Sequence, residues 1–309
     1  MTNADYERIL DTTDEWIVSR TGIRERRHAD PGIDNSDMAV AACKAALEMS
    51  GTKPEEVDLV IVGTVTPDYL LPSTACVVQE KMGLVNAAAF DIVAACTGFI
   101  NGLSIGNAFI QTGQYKKALV IGSERLTSIT NFTDRGTCVL FGDGAGAVVL
   151  EPTTSEHGIL ATHLRSDGRL REWLWIPYGG SKNPYTPGYT DDGSNKIFMN
   201  GSEIFKVAVR EMGKAADIVV KKAGLDYSDI SLFVPHQANI RIIEAMAKRM
   251  HLGMDKVMLN IDKYGNTSSG SVPLALDEAN RSGRIKSGDN IVMVAFGGGL
   301  IWGAAAVKW

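Results

Sequence analysis

The chain has 309 residues, 45% of them hydrophobic and 22% charged, with a net charge of −5 and four cysteines. Such a length and balance bury a large core without disulfide staples, and the negative charge excludes nucleic-acid binding through overall charge. Cys43, Cys76, Cys96 and Cys138 form no C-x-x-C pair, which excludes a zinc or thioredoxin-type signature.

The first 35 residues are polar and rich in Arg and Asp. Ser36–Asp37 can cap a helix that runs to about Met49 and ends at Gly51. Asp58–Gly63 reads as a buried strand, and Pro72–Gly83 as a helix opened by proline. Ala87–Ala95 is apolar and strand-like, Cys96–Thr112 is a long helix, and Lys117–Gly122 is a further strand. Cys138–Leu150 reads as two strands around a glycine turn. In the second half, Gly158–Arg165 reads as a strand and Ser166–Lys196 as a long polar loop. There follow a helix (Ser202–Ala223), a strand (Ser231–Val234), a helix (Ala238–Met250) and a short strand (Lys256–Ile261). Ser268–Ser282 is a helix, and Asn290–Ala295 and Leu300–Lys308 are the last strands.

Both halves thus run helix, strand, helix, strand, helix, strand, strand. DLVIVGTVTPD matches SLFVPHQAN in place, and KALVIGSE matches NIVMVAFGGG. Alternating strands and helices imply mostly parallel, helix-covered sheets. Two such halves, 1–155 and 156–309, imply a pseudo-twofold α/β body layered α/β/α/β/α. The strand Gly158–Arg165 has no counterpart in the first half, as though one were absent there. The N-terminus lacks a basic region followed by an apolar one, no run approaches the ~20 apolar residues of a membrane span, and the cysteine usage suits a reducing compartment. The expected setting is cytoplasmic.

Cys96 sits where an apolar strand meets a long helix, where unpaired N–H groups and the positive dipole end lower a thiol's pKa from about 8.5. It is the nucleophile candidate, against the ordinary role of a buried structural cysteine. His236, in PHQAN after a strand, and Asn266, in YGNTSSG, lie at comparable strand-to-helix junctions. Each alone reads as a structural histidine or a turn asparagine. A pseudo-twofold brings all three to one centre, and that convergence outweighs the separate readings. Gly297–Gly299 allow a close backbone approach, either as a plain turn or to aim an N–H, with that of Cys96, at a developing oxyanion. Gly142–Ala147 leads into a strand and reads as a structural turn, not a nucleotide loop. Trp16, Arg20, Arg24, Arg26 and Arg27 are either a solvated face or a clamp on a phosphorylated, adenine-bearing ligand. Lys206, Arg241, Lys248 and Arg249 are either ordinary surface charge or a patch for an acidic partner.

DTTDEWIVSRTGIRERR, AACTGF, FGDGAGAVVL, HQAN, YGNTS and FGGGLIWG, in this order, closely resemble β-ketoacyl-acyl-carrier-protein synthase III, the initiating condensing enzyme of bacterial type II fatty acid synthesis. The resemblance spans essentially the whole chain and implies the thiolase fold. It implies that Cys96 takes an acyl group from a short acyl-coenzyme A, acetyl or short branched, which is a substrate and not a retained cofactor. His236 and Asn266 would then stabilise the enolate formed as malonyl-acyl-carrier protein loses carbon dioxide. The N–H groups of Cys96 and Gly298 would hold the tetrahedral oxyanion. Coenzyme A is expected near Trp16, Arg20, Arg135, Gly201, Phe205, Ala238 and Asn239, and carrier protein at Lys206, Arg241, Lys248 and Arg249. A homodimer is implied, with Leu71 standing where many members place a phenylalanine of the neighbouring subunit in the acyl pocket. Members usually begin with a further strand, expected to be central in the N-terminal half, and Arg171–Lys196 is longer than in the shorter members.

Two competing readings remain. A Cys-His-Asn relative of secondary metabolism would accept coenzyme A thioesters, and a shortened, catalytically silent chain would only dimerise or bind acyl ligands. A thiolase proper is disfavoured, because that family uses a second cysteine as base and the C-terminal half here has none.

Overall fold

The computed structural model describes residues 1–186 and 192–309. The polar opening, where patterning marks no element, holds helices α1 (Asn3–Glu7) and α2 (Asp14–Thr21). Helix α3 (Asn35–Ser50) starts at Asp34, and Asp37 closes a capping box with it. The cap therefore lies just upstream of the expected Ser36–Asp37. Strand β1 (Leu59–Gly63) is buried throughout, α4 (Thr74–Met82) is capped by Ser73, and β2 (Ala88–Ile92) follows. Then come α5 (Gly98–Gln111), β3 (Ala118–Glu124), the one-turn α6 (Arg135–Cys138) and β4 (Gly144–Leu150). The expected pair of strands over Cys138–Leu150 is corrected to one. Cys138–Phe141 is buried against α1 and α2 residues rather than in a sheet, and burial on every side gives the same apolar run as a strand.

The second half opens with β5 (Gly158–Ser166). The expected loop after it contains a 3-10 turn (Gly168–Trp173) and β6 (Leu174–Trp175), which pairs with β7 (Phe198–Met199). Residues 187–191 of that loop lie outside the described residues. Next are α7 (Gly201–Lys222), β8 (Leu232–Pro235), α8 (Ile240–Arg249), α9 (Ile261–Tyr264), α10 (Ser271–Arg281), β9 (Asn290–Gly297) and β10 (Ile301–Lys308). The strand expected over Lys256–Ile261 is a single parallel bridge, Val257 with Phe233, before the chain turns into α9.

The strands form two four-stranded sheets, ordered β2-β1-β3-β4 and β5-β10-β9-β8. In each, parallel pairs lead to one antiparallel strand, so β1, β3 and β4 correspond to β8, β9 and β10. These are the correspondences read from the sequence. Helices α3 and α4 cover the outside of the first sheet, α7 and α8 the outside of the second, and α5 and α10 fill the layer between. The second sheet's outer core joins Val219, Met246 and Phe233, and the central layer joins Phe99, Val272 and Met293. Strand β5 pairs along the edge of β10, and among the described residues the matching edge of β4 carries no strand. That position is an edge of the sheet, which corrects the expectation of a central strand.

The central helices approach the sheets backbone to backbone. A Cβ at Gly63 would lie 2.5 Å from the carbonyl carbon of Gly98, and one at Gly122 would lie 2.1 Å from the Ser269 oxygen. Only glycine permits these contacts. They draw the start of α5 and the turn before α10 to one place, with Cys96 on one and Ser268 on the other.

Candidate active site

Cys96 lies in a 3-10 turn, Ala95–Thr97, and α5 begins at Gly98. Ala95 holds φ +43, in the left-handed region, at a cost of about 1–2 kcal/mol that marks a tightly determined turn. The thiol is 9% exposed, and burial pushes its pKa up to about 12. Burial works against the lowering expected at a helix start, because it penalises the thiolate. Hydrogen bonding from Ser268 opposes the rise, and the charge of Glu124 adds to it.

His236 follows β8 and is 2% exposed. Burial lowers its pKa to about 4, so it is neutral at pH 7. Its Nδ1 lies 2.7 Å from the Ser271 Oγ, which also accepts the Gln237 N–H at 2.8 Å. One lone pair of that hydroxyl takes the Gln237 N–H, and its proton, donated to Nδ1, leaves the imidazole proton on Nε2 to face the cavity. Asn266 is held by its backbone, its N–H to the Leu140 carbonyl at 2.8 Å and its carbonyl to the Gly142 N–H at 3.0 Å. Its Oδ1 accepts the Ser268 N–H at 2.9 Å, which fixes the amide and leaves Nδ2 as the presented group. The site therefore offers a neutral thiol and two neutral N–H donors.

Cys96, His236 and Asn266 line one cavity of about 130 Å³, together with the expected Gly201, Phe205, Ala238 and Asn239. Cys96 also lines a second, mostly apolar chamber of about 390 Å³, with Phe141, Trp175, Ile197, Ser268 and Gly298 among its walls. Gly297 is a glycine because a Cβ would sit 2.6 Å from the Cys96 nitrogen, so β9 brings Gly298 beside the thiol turn.

Trp16, Arg20 and Arg135 gather outside the first cavity. Both guanidinium groups stack on the Trp16 ring, at 4.8 Å and 4.9 Å, and Asn239 Nδ2 donates to the Arg20 carbonyl at 2.9 Å. Of the basic run, Arg20, Arg24 and Arg27 are exposed. Arg26 is fully buried, packs 4.6 Å from the Tyr6 ring and donates to Asn3 Oδ1 and the Val139 carbonyl. It is a structural residue, which corrects its inclusion in a clamp. Lys206 on α7 and Arg241, Lys248 and Arg249 on α8 are all exposed on adjacent helices. Lys206 pairs with Glu203 at 2.8 Å and Arg249 with Asp217 at 2.6 Å. Leu71 is 87% exposed and is not among the lining residues of either cavity in the single chain.

Ser271, Ser268 and Glu124 escape sequence reading. The serines follow Asn266 in NTSSGS, where a run of small hydroxyls reads as a helix start. Glu124 ends an apolar strand, a carboxylate at a fully buried position, and that oddity is the signal that could have found it.

Two family models match the chain: 3-oxoacyl-[acyl-carrier-protein] synthase III over residues 90–168, and the C-terminal portion of the same family over residues 220–309. The β-ketoacyl-[acyl-carrier-protein] synthase III of Caldanaerobacter subterraneus is 53% identical over 309 residues, covering 100% of this chain and 93% of that protein. That of Clostridioides difficile is 52% identical, covering 99% and 93%. The crystal structure of the Thermus thermophilus enzyme of that name matches with a TM-score of 0.94 at 46% identity, covering 100% of this chain and 95% of that one. The fold is thus that of the thiolase-like condensing enzymes, and the chain belongs to the β-ketoacyl-acyl-carrier-protein synthase III family of acyltransferases.

Proposed function

We propose that the chain condenses a short acyl-coenzyme A with malonyl-acyl-carrier protein through an acyl-Cys96 intermediate. The observation that carries this reading is the convergence of Cys96 and His236, from two strand-to-helix junctions, and Asn266, from the turn between α9 and α10, on one cavity. The Cys96 sulfur attacks the donor carbonyl, the N–H groups of Cys96 and Gly298 hold the oxyanion, and coenzyme A leaves. The acyl chain extends into the apolar chamber, which has room for acetyl or a short branched group. His236 Nε2–H and Asn266 Nδ2–H then hold the malonyl thioester oxygen as carbon dioxide departs. Neutral donors suit this task, because they stabilise a developing enolate without protonating it in the ground state. The carbanion attacks the acyl carbon and expels the Cys96 thiolate.

Trp16, Arg20, Arg135, Gly201, Phe205, Ala238 and Asn239 would receive coenzyme A, the ring stacking and guanidinium groups suiting adenine and phosphate. Lys206, Arg241, Lys248 and Arg249 would receive the acidic carrier protein. Leu71 would complete the acyl pocket of the other subunit in a cytoplasmic homodimer, whose protomers divide into halves 1–155 and 156–309. Intact-mass analysis after incubation with a panel of acyl-coenzyme A donors tests the reading. One acyl adduct is expected, absent in Cys96→Ala; an adduct that persists there overturns the assignment. His236→Ala and Asn266→Ala should keep the adduct and lose condensation. Turnover with malonyl-coenzyme A but none with malonyl-carrier protein would transfer the chain to the secondary-metabolism reading.

A further inference from the structure

Glu124 ends β3 with 0% exposure, and the condensation chemistry above leaves it idle. Its carboxyl accepts the Val65 N–H at 3.1 Å and the Thr66 and Thr64 hydroxyls at 2.6 Å and 3.1 Å. Thr66 Oγ1 already accepts the Arg125 N–H at 2.8 Å, and Thr64 Oγ1 accepts the Thr66 N–H at 3.1 Å and Asn35 Nδ2 at 2.9 Å. Both lone pairs of Thr64 are thus filled by groups that can only donate, and its proton turns to Glu124 or to the Thr66 oxygen 3.4 Å away, while Thr66 keeps one open acceptor position. The Val65 N–H donates to the carboxyl and the two hydroxyls stand within donating distance, which suits a carboxylate, against burial that favours the neutral acid.

The fourth contact differs. Ser268 Oγ lies 3.1 Å from Glu124 Oε1, and Ser268 lines the apolar chamber beside Cys96. It is the one member of the network with sulfur on one side and carboxylate on the other. Its backbone is held at φ +48, and its N–H is tied to Asn266 Oδ1, so the hydroxyl is aimed by the same turn that aims the catalytic amide.

We propose that Ser268 and Glu124 form a proton relay for Cys96, in which the thiol proton passes to the Ser268 oxygen as the Ser268 hydroxyl proton passes to the Glu124 carboxylate. The relay rests on Cys96 being the acyl-carrying nucleophile. Charge explains its use. A thiol that releases its proton to water leaves two negative charges in a dry pocket. A thiol that hands its proton to Glu124 leaves one, as before. The balance closes over the cycle. In acylation the thiolate bonds to the acyl carbon, coenzyme A leaves as thiolate and takes a proton from solvent, and Glu124 stays neutral. In condensation the Cys96 sulfur leaves with its electron pair, and Glu124 returns the stored proton through Ser268. The net uptake of one proton is that of a decarboxylative condensation. Glu124 touches no reacting atom and acts through Ser268 as a positioning and proton-storing residue.

The test is the pH profile of Cys96 alkylation by iodoacetamide, read by peptide mass so that Cys76 does not interfere. Two linked sites exchange a proton internally, so the wild-type rate should be nearly flat from about pH 6 to 8. In Glu124→Gln the thiol must lose its proton to water, and the logarithm of the rate should rise about one unit per pH unit, starting on the order of 10-fold or more below wild type at pH 6. A bystander carboxylate predicts the opposite sign, because removing its charge eases thiolate formation and speeds alkylation. Ser268→Gly, which suits the positive φ and deletes the hydroxymethyl group, should reproduce the steep profile if Glu124→Gln does not fold. A unit slope in the wild type, faster alkylation of Glu124→Gln, or a folded Ser268→Gly with the wild-type profile overturns the relay. Alkylation uses no acyl donor, so a failed acyl-adduct test would leave this result standing.

Discussion

His236 gives a quantitative prediction about acid. Its folded-state pKa is lowered by burial to about 4, against 6.5 for a free histidine. Between those values the unfolded chain binds a proton that the folded chain excludes, so stability rises with pH across the window and is lost as pH falls from about 6.5 through about 4. At ~1.4 kcal/mol per pH unit, the full window is worth about 3 kcal/mol, and about 2 kcal/mol of that is gone by pH 5. The side chain is 2% exposed, so solvent screening removes little of this. Urea unfolding at pH 7.5 and pH 5 should show the wild type losing about 2 kcal/mol more than His236→Gln, which has no imidazole to charge. The same neutrality leaves malonyl decarboxylation without a histidine inflection near pH 6.5. Equal pH sensitivity of the two proteins, or a His236 ring proton resonance titrating near 6.5, would falsify the assignment of a buried neutral imidazole.

Ser271→Ala removes the partner of both His236 Nδ1 and the Gln237 N–H; it should cost about 1–3 kcal/mol and slow decarboxylation roughly 10-fold while the Cys96 adduct still forms by mass spectrometry. Gly297→Ala drives a Cβ to 2.6 Å from the Cys96 nitrogen, so thermal unfolding should show a loss of about 1–3 kcal/mol, and adduct formation should fall at least as steeply as in any oxyanion-donor deletion, about 10²-fold. Arg249→Glu should raise KM for malonyl-carrier protein about 10-fold at low salt, with the difference shrinking as salt is added and KM for the acyl donor unchanged. An unchanged carrier-protein KM would remove α8 from the docking surface.

The meeting of Cys96, His236 and Asn266 was legible because the first two follow strands and precede helices, Asn266 precedes α10, and the order of elements announced the internal symmetry that unites them. The thiol's acidity was not. Its direction depends on how completely the turn at Ala95 is buried, and burial is set by distant segments such as Gly297. Cys138–Phe141 and Lys256–Ile261 were misread for a related reason. Each is a mostly buried run that makes one isolated bridge and joins no longer ladder, and a short buried run has no period that tells strand from turn. Arg26 looked like one more cation of a basic stretch, and only the packing against Tyr6 shows that it belongs to the core. Glu124 and Ser268 were invisible because their meaning lies in which hydroxyl faces which, across 144 residues of chain.

The two cavities meet at Cys96, with Leu174 shared between their walls. One is narrow and carries the polar donors, and the other is wider and apolar. The sulfur is thus a transfer point between a doorway and a storeroom. Cargo left on it clears the doorway as soon as it swings inward, and a second visitor can then use the same passage. Both visitors meet the sulfur among the same lining residues, so the order of arrival follows from the shape of the corridor.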